Sequence, residues 1–537
     1  MIKKIIKMMI LMMGGIYYLN AQSYQPYTVS DSHWVMGRHD IKRTGFNPVR
    51  CQSPANVSRA WFHATSGSDG NEVNTIIPPR RVFSSGNALS FTDNNLNLVM
   101  YNAYNGSIIW SHNGPDGADY EYSGCVYAYN NLVFCQWINE ASDPWSDDES
   151  KAQLYDANNG NILWTNQDAS SELYYPSPAV YRIGSEHWIF RGVNGNARAA
   201  KIMPTNPYYQ EVWSVNLGSR VGAPAILKTD GLNNYVLYSV SNPNNSSDKV
   251  VALNIYSGAT KWSWDLPPGK RFMFSAGRPY ESAHISGYDI DNDGKDEIFV
   301  RYDSFLVMLK EINNSPTLLW SRKLPSILYT AIAIGPILPT NKMGIAVIPG
   351  TGSSPVFCSN QLIILDATNG NISWTINLPE YYCNSPTIAD VNADGIYDVI
   401  IASWSCSNPA AYSSSNNFSS PVWQSTGCSL EPPISSDIAV GLIDTVMAFS
   451  IGDQSCYTNV WICKKAITPV SFNENWRINY KVIKGGIQFE GYGNVKIYKI
   501  DGSLIGNYEV NGFRKILLLK GVYMVRINKE NKKVIIN

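Results

Sequence analysis

LYDANNGNILWTN (residues 154–166) reads as an alternating strand over Leu154, Tyr155 and Asp156, a polar turn closed by Asn159-Gly160, and a second strand ending at Trp164. Asn-Gly supplies the positive φ that a tight hairpin needs. The pattern recurs: MYNAYNGSIIW ends at Trp110, LNIYSGATKW at Trp262 and ILDATNGNISW at Trp374, with weaker copies ending at Trp213 and Trp320. From Trp61 to Trp374 these tryptophans lie 49 to 58 residues apart. A period of about 50 with about four short strands per unit is the signature of an all-β propeller.

Each unit parses as four strands. An inner strand A carries Pro or small residues (SPAV at Ser177, APAI at Ala223, SPTI at Ser385), strand B is apolar, and C and D form the hairpin. D strands from Trp110 to Trp374 close six blades, and a seventh begins at SPTIADVNADG. Trp61 has no strands before it, so residues 59–65 are expected to close that seventh blade. The stretch VMAFSIGDQSCYTNVW, ending at Trp461, leaves eight blades open as the alternative. Two segments break the period and read as solvated loops: residues 403–431, rich in Ser, Asn and Pro, and the acidic ASDPWSDDESK at 141–151.

These residues resemble a known repeat. The A-x-D-x-x-x-G-x-x-x-W pattern is similar to the tryptophan-docking repeat of pyrroloquinoline-quinone-type (PQQ-like) propellers. The resemblance implies that Trp110, Trp164, Trp262 and Trp374 stack between blades as structural residues. HWVMGRHDIKRTGFNP, residues 33–48, resembles the leader that precedes such repeats.

Both ends of the chain differ from the body. Residues 1–21 have Lys3, Lys4 and Lys7 before an apolar stretch and the Leu19-Asn20-Ala21 site, the pattern of an export signal. Beyond it no run is long and apolar enough for a membrane span. From Lys464 onward fourteen Lys and Arg stand against five Asp and Glu, while residues 22–463 carry a balance of −13. So acidic a body argues against nucleic acid as a partner. Nine cysteines in an exported chain imply disulfides, with at least one thiol left over.

The organisation expected is therefore a signal at 1–21, a propeller over 22–466 and a small C-terminal β-sandwich over 467–537. The tail resembles the C-terminal sorting domain of the type IX secretion system of Bacteroidetes. Its matching residues are VKIYKIDGSLI (495–505), LLLKGVYMVRI (517–527) and the terminal KKVIIN, while the usual Tyr-Pro-Asn-Pro-like opening is absent. The resemblance implies passage through the periplasm, engagement of that secretion machinery, and a secreted or surface-attached product.

Two loops carry metal-ligand spacing. Asp289, Asp291, Asp293, Lys295 and Glu297 occupy positions 1, 3, 5, 7 and 9 of one, and Asp390, Asn392, Asp394, Ile396 and Asp398 those of the other. Gly294 and Gly395 stand at position 6, and position 7 would offer its carbonyl. Alternate oxygens converging on one point suit Ca²⁺. The acid at position 9 is similar to the FG-GAP/VCBS loops of integrin-type propellers, which implies a calcium staple on an A–B hairpin.

A second constellation lies at the D-to-A junctions, expected to open on one face around the channel. These carry Tyr120, Tyr122, Tyr174, Tyr175, Tyr280, Tyr329, Tyr381 and Tyr382, with Arg80 and Arg81 in the first blade and Arg220 in the fourth. The longest junction, PPGKRFMFSAGRPYESAH, adds Lys270, Arg271, Arg278 and His284. Aromatic faces beside guanidinium groups suit sugar rings and carboxylates.

Two main readings follow. One is a non-catalytic, calcium-stabilised propeller binding an extracellular glycan or protein. The other is a polysaccharide lyase, in which an Arg neutralises a uronate and a Tyr or His removes the C5 proton, with Tyr280, His284, Arg278, Tyr175 and Arg191 as candidates. Tyr175 and Arg191 resemble the Tyr and Arg of ulvan-type lyases. A PQQ-type dehydrogenase is a third reading, for which eight blades and a disulfide between adjacent cysteines are the family norm. No Cys-Cys pair occurs here.

Overall fold

The computed structural model describes residues 36–536 except 52–56, 65–71, 79, 88–96, 114–119, 129–130, 140–148, 170–176, 194, 219, 242–246, 273–282, 351–358, 383, 403–408, 426–437, 444–445, 453–456, 464–478, 484–485, 500–503, 518–520 and 528–529. The chain divides into two compact units, one up to Ala466 and one from Ile467.

Blades 1 to 7 span residues 72–113, 120–169, 179–216, 220–265, 285–323, 333–382 and 387–424, each an antiparallel sheet in A-B-C-D order. Blade 8 takes Ala439–Ile443, Val446–Gly452 and Tyr457–Cys463 from the end of the body. Its outer strand, Val57–Ala64, comes from the start and pairs with Tyr457–Cys463. The propeller therefore has eight blades, not the seven expected. Residues 403–431 are not merely an insertion: they contain Ala410–Tyr412 and Pro421–Gln424, short C and D strands that complete blade 7. Trp61 is thereby freed to close the next blade, and ring closure removes two exposed sheet edges.

The hairpin motif explains how neighbouring blades lock. Residues 157–161 form a five-residue turn between Glu149–Asp156 and Ile162–Ala169, and within it only Gly160 takes positive φ (75°), not Asn159. Asp156 closes the turn, its carbonyl accepting from Gly160 N at 2.8 Å and its carboxylate from Asn158 N at 2.8 Å. A Cβ on Gly160 would stand 2.8 Å from the Trp110 ring of the blade before. Glycine is thus needed twice there, for conformation and for room.

The indole then reaches past it: Trp110 Nε1 donates to Ala157 O (2.9 Å), Trp61 to Ala103 O (2.9 Å), Trp213 to Ile255 O (3.0 Å) and Trp320 to Ala367 O (3.1 Å). Where the next hairpin is degenerate the acceptor changes. Trp262 donates to the Glu311 carboxylate at 2.9 Å, and Trp164 stacks on Tyr209 with ring centroids 4.0 Å apart. Trp61, Trp110, Trp213, Trp262 and Trp320 thus each satisfy the indole N–H across a blade boundary, while Trp164 packs its ring there.

Cysteines reinforce two places. Cys125 and Cys135 face each other across strands A and B of blade 2, and Cys51 bonds Cys463 over 412 residues of chain. By loop entropy alone the second is worth on the order of 5 kcal/mol.

In the C-terminal unit, Asn479–Ile483, Gly486–Lys499, Leu504–Leu517, Gly521–Ile527 and Glu530–Ile536 form one antiparallel sheet. The second sheet of the expected sandwich is not among the described residues.

Candidate functional site

The inner strands surround the chain's own leader. Phe46–Arg50 pairs in parallel with Thr387–Asp390 of blade 7, and the residues before it bond to one inner strand after another. Ile41 O accepts from Ile226 N of blade 4 (2.7 Å), Lys42 O from Gly287 N of blade 5 (2.9 Å), Thr44 O from Ile334 N of blade 6 (2.8 Å) and Gly45 O from Ile388 N of blade 7 (2.9 Å). Asn47 Nδ2 donates to Val440 O of blade 8 at 2.6 Å.

Two fully buried guanidinium groups extend this hub. Arg38 donates to Ile332 O and Pro386 O, both at 2.7 Å. Arg43 donates to Pro224 O (2.9 Å), Ser177 O (2.6 Å) and Pro178 O (3.1 Å). A buried charge is tolerable when its donors are satisfied in this way. Asp40 braces the leader through Lys42 N and Thr44 N. Burial pushes its carboxyl up, but bonds from His39 and Thr44 outweigh burial and hold it below the usual range.

Four-stranded blades put D–A and B–C connections on one face and A–B turns and C–D hairpins on the other. Of the sequence candidates for the D–A face, Tyr174, Tyr175, Arg278 and Tyr280 lie outside the described residues. Tyr120 and Tyr122 begin the inner strand of blade 2, Arg220 that of blade 4, and Tyr329 stands half-buried before that of blade 6. Tyr381 is exposed while Tyr382 is buried, its hydroxyl pKa raised by burial and by Tyr412 beside it.

Lys270 pairs with Asp303 at 2.7 Å, and Arg271 with the buried Asp248 at 2.7 Å. His284 is buried on Phe272, with Nδ1 2.8 Å from Ser239 Oγ. Arg191 is 1% exposed, its guanidinium 5.8 Å from the Phe134 ring and 5.9 Å from that of Tyr209. Arg80 and Arg81 are misplaced by the sequence reading. Glu72–Ile76 is the inner strand of blade 1, so both sit on its A–B turn, on the opposite face. There Arg81 donates to Ala157 O and Asn158 Oδ1, each at 2.8 Å.

That opposite face holds both acidic loops. In blade 5, Asp289, Asp291 and Glu297 bring ligand atoms within 4.8 Å of one another. The Lys310 ammonium from strand C stands among them, 2.5 Å from Asp291, 2.9 Å from Asp293 and 2.6 Å from Glu297. Burial works against its charge, but these three carboxylates outweigh burial and raise its pKa above the ordinary lysine range. Burial likewise pushes Asp293 up, yet Lys310 outweighs it and holds that carboxyl low. Lys295 points its backbone N–H at Asp293 (2.9 Å), and Lys42 of the leader pairs with the adjacent Asp296 at 2.6 Å.

In blade 7, Asp390 and Asp398 are both fully buried, and Oδ1 of each has no hydrogen-bond partner. Burial pushes Asp398 up to about 7 and raises Asp390 as well. Asp390 Oδ2 accepts from Gly395 N at 3.1 Å, while Asn392 and Asp394 bond each other and Asp394 accepts from Ile396 N. Arg50, 54% exposed along its side chain, approaches Asp390 only to 3.6 Å.

Sequence reading missed three parts of this geometry. Lys310 belongs to no motif, and only strand register brings it opposite Glu297. Arg38 and Arg43 bond main-chain carbonyls that no sequence pattern displays. Blade 7's outer strand did leave a signal: Trp423 falls 49 residues after Trp374, on the period of the other blades.

No family model matches the chain, and no curated protein matches it in sequence. Solved structures match in shape. The quinohemoprotein alcohol dehydrogenase ADHIIG of Pseudomonas putida HK5 aligns with TM-score 0.54 at 11% identity, covering 81% of this chain and 80% of its own. A europium-containing methanol dehydrogenase aligns with TM-score 0.52 at 11% identity, covering 80% and 98%. Sqt1 of Saccharomyces cerevisiae aligns with TM-score 0.51 at 9% identity, covering 75% and 98%. The shared property is the propeller. Likeness at this identity speaks for fold alone.

Proposed function

We propose that this chain is an exported, non-catalytic propeller that binds an extracellular polysaccharide on its D–A face and carries calcium on the opposite one. The observation that carries the non-catalytic reading is the state of His284 and Arg191, the lyase candidates among the described residues, with the neighbouring ligand-binding candidates Lys270 and Arg271. His284 and Arg191 are buried, and Lys270 and Arg271 are held in ion pairs. A general base must reach the proton it removes, and among the described residues the His284 imidazole is covered by Ser239 and Phe272. Tyrosine and arginine at the D–A junctions remain suited to sugar rings and their carboxylates. The C-terminal unit, by its resemblance to a sorting domain, would deliver the propeller to the cell surface or beyond.

Calcium fits the blade 7 loop. Support comes from the buried Asp390 and Asp398, whose Oδ1 atoms are unpartnered, with Asn392 and Asp394 adding hard oxygens in the same turn, although the described carboxylates gathered within 4.8 Å of one another are those of blade 5. The ion would brace strands A and B of that blade. PQQ does not fit. The chain lacks adjacent cysteines, and among the described residues Ala223, Ala283 and Ala331 pack together at the inner ends of blades 4 to 6, beside carbonyls that engage Arg38 and Arg43. Resemblance to alcohol dehydrogenases therefore supports no redox step here.

A panel of neutral and uronate-containing polysaccharides tests the reading, measured for binding by calorimetry and for ultraviolet absorbance of the unsaturated product of β-elimination. Binding without product, weakened several-fold by Arg278→Ala, is expected. Accumulating product would establish a lyase instead.

A further inference from the structure

The two acidic loops share one strand-turn-strand scaffold and differ, beyond changes within the turn such as those at positions 3, 7 and 9, in the residue that strand C sets across from position 9. In blade 5, Ile298 pairs with Leu309, so the next residue of strand C, Lys310, lies across from Glu297. In blade 7, Val399 pairs with Tyr412, so Ser413 lies across from Asp398. The position-9 acid of each loop therefore faces a lysine in one blade and a serine in the other.

An ammonium has three N–H donors and no acceptor. That of Lys310 meets three carboxylates from positions 3, 5 and 9 of its loop at 2.5 to 2.9 Å, the place where Ca²⁺ would collect the same oxygens. Its tether runs in the strand, so occupancy does not depend on ion concentration. A divalent ion entering there would meet the ammonium at close range in a partly buried site, where like charges repel more strongly than they do in water.

We infer that Lys310 is a built-in substitute for the metal ion, so that blade 5 excludes calcium and calcium binding on this face belongs to blade 7. This rests on the calcium reading of the A–B loops, but its test separates the two. Calcium bound per folded chain is measured by equilibrium dialysis with atomic emission, at about millimolar free Ca²⁺, the range of extracellular modules. Wild type, Lys310→Ser, Lys310→Met and Asp291→Asn are compared.

Lys310→Ser is expected to bind one more ion per chain than wild type, and Asp291→Asn in the wild-type background to bind the same number. A gain from none to one would retire calcium at blade 7 while leaving the role of Lys310 intact. Equal stoichiometry in wild type and Lys310→Ser, or loss of an ion in Asp291→Asn, would overturn the inference. Lys310→Met keeps the apolar stem and provides the same reading if the serine variant does not fold.

Discussion

Blades 5 and 7 present nearly the same acidic turn, yet one is neutralised from within and the other is not. In blade 5 the cation is covalent and holds the Asp293 carboxyl low, while burial still raises Asp289 and Glu297. In blade 7 the register position is Ser413, a neutral hydroxyl that bonds Asp398, and burial raises both carboxyls, Asp398 to about 7. The difference teaches that a metal-ligand motif states what could be bound but not whether the place is free. Vacancy is decided by a residue across the sheet, outside the motif.

The largest effect that could break this comparison comes from removing the tethered charge. Lys310→Ala in chelator should destabilise the propeller by about 3 kcal/mol, as for any buried ion pair stripped of one partner. Added calcium should restore most of the loss, read as a recovery in the urea midpoint. A variant as stable as wild type in chelator would mean the lysine merely decorates the loop.

Next in size is removal of calcium from wild type. At a free concentration a hundredfold above Kd, binding contributes about 2.7 kcal/mol, so EDTA should lower Tm by a few degrees. Asp398→Asn should erase that shift while Asp291→Asn leaves it, and the reverse pattern would exchange the roles of the two blades. The smallest effect sharpens the contrast between faces: Asp398→Asn should change polysaccharide affinity by less than about twofold, since additivity holds for distant sites.

The fold was legible where chemistry repeats locally. Each Trp and each Gly of the hairpins shows in the sequence because the two meet across a blade boundary, as Trp110 and Gly160 do. Blade count was not, because blade 7's outer strands are only three and four residues long and lie in Ser- and Asn-rich chain. Trp423 kept the period there, but without the glycine hairpin before it the unit read as a loop. Arg80 and Arg81 went to the wrong face for a related reason: NEVNTI lacks the Pro and small residues that mark the other inner strands. The acidic loops were plain to see, whereas Lys310 and the hub arginines act through register and main-chain carbonyls, which sequence spacing does not encode.

The closure of the ring gives the chain an unusual order of events. Val57–Ala64 is among the first strands synthesised, but its partner Tyr457–Cys463 emerges about four hundred residues later. The leader likewise waits for inner strands of blades 4 to 8, made one after another. Non-local contacts of this kind slow folding and leave edges open in the interval. A chain that ends anywhere before Tyr457 is therefore a wheel whose rim is still open, however many of its blades have already formed.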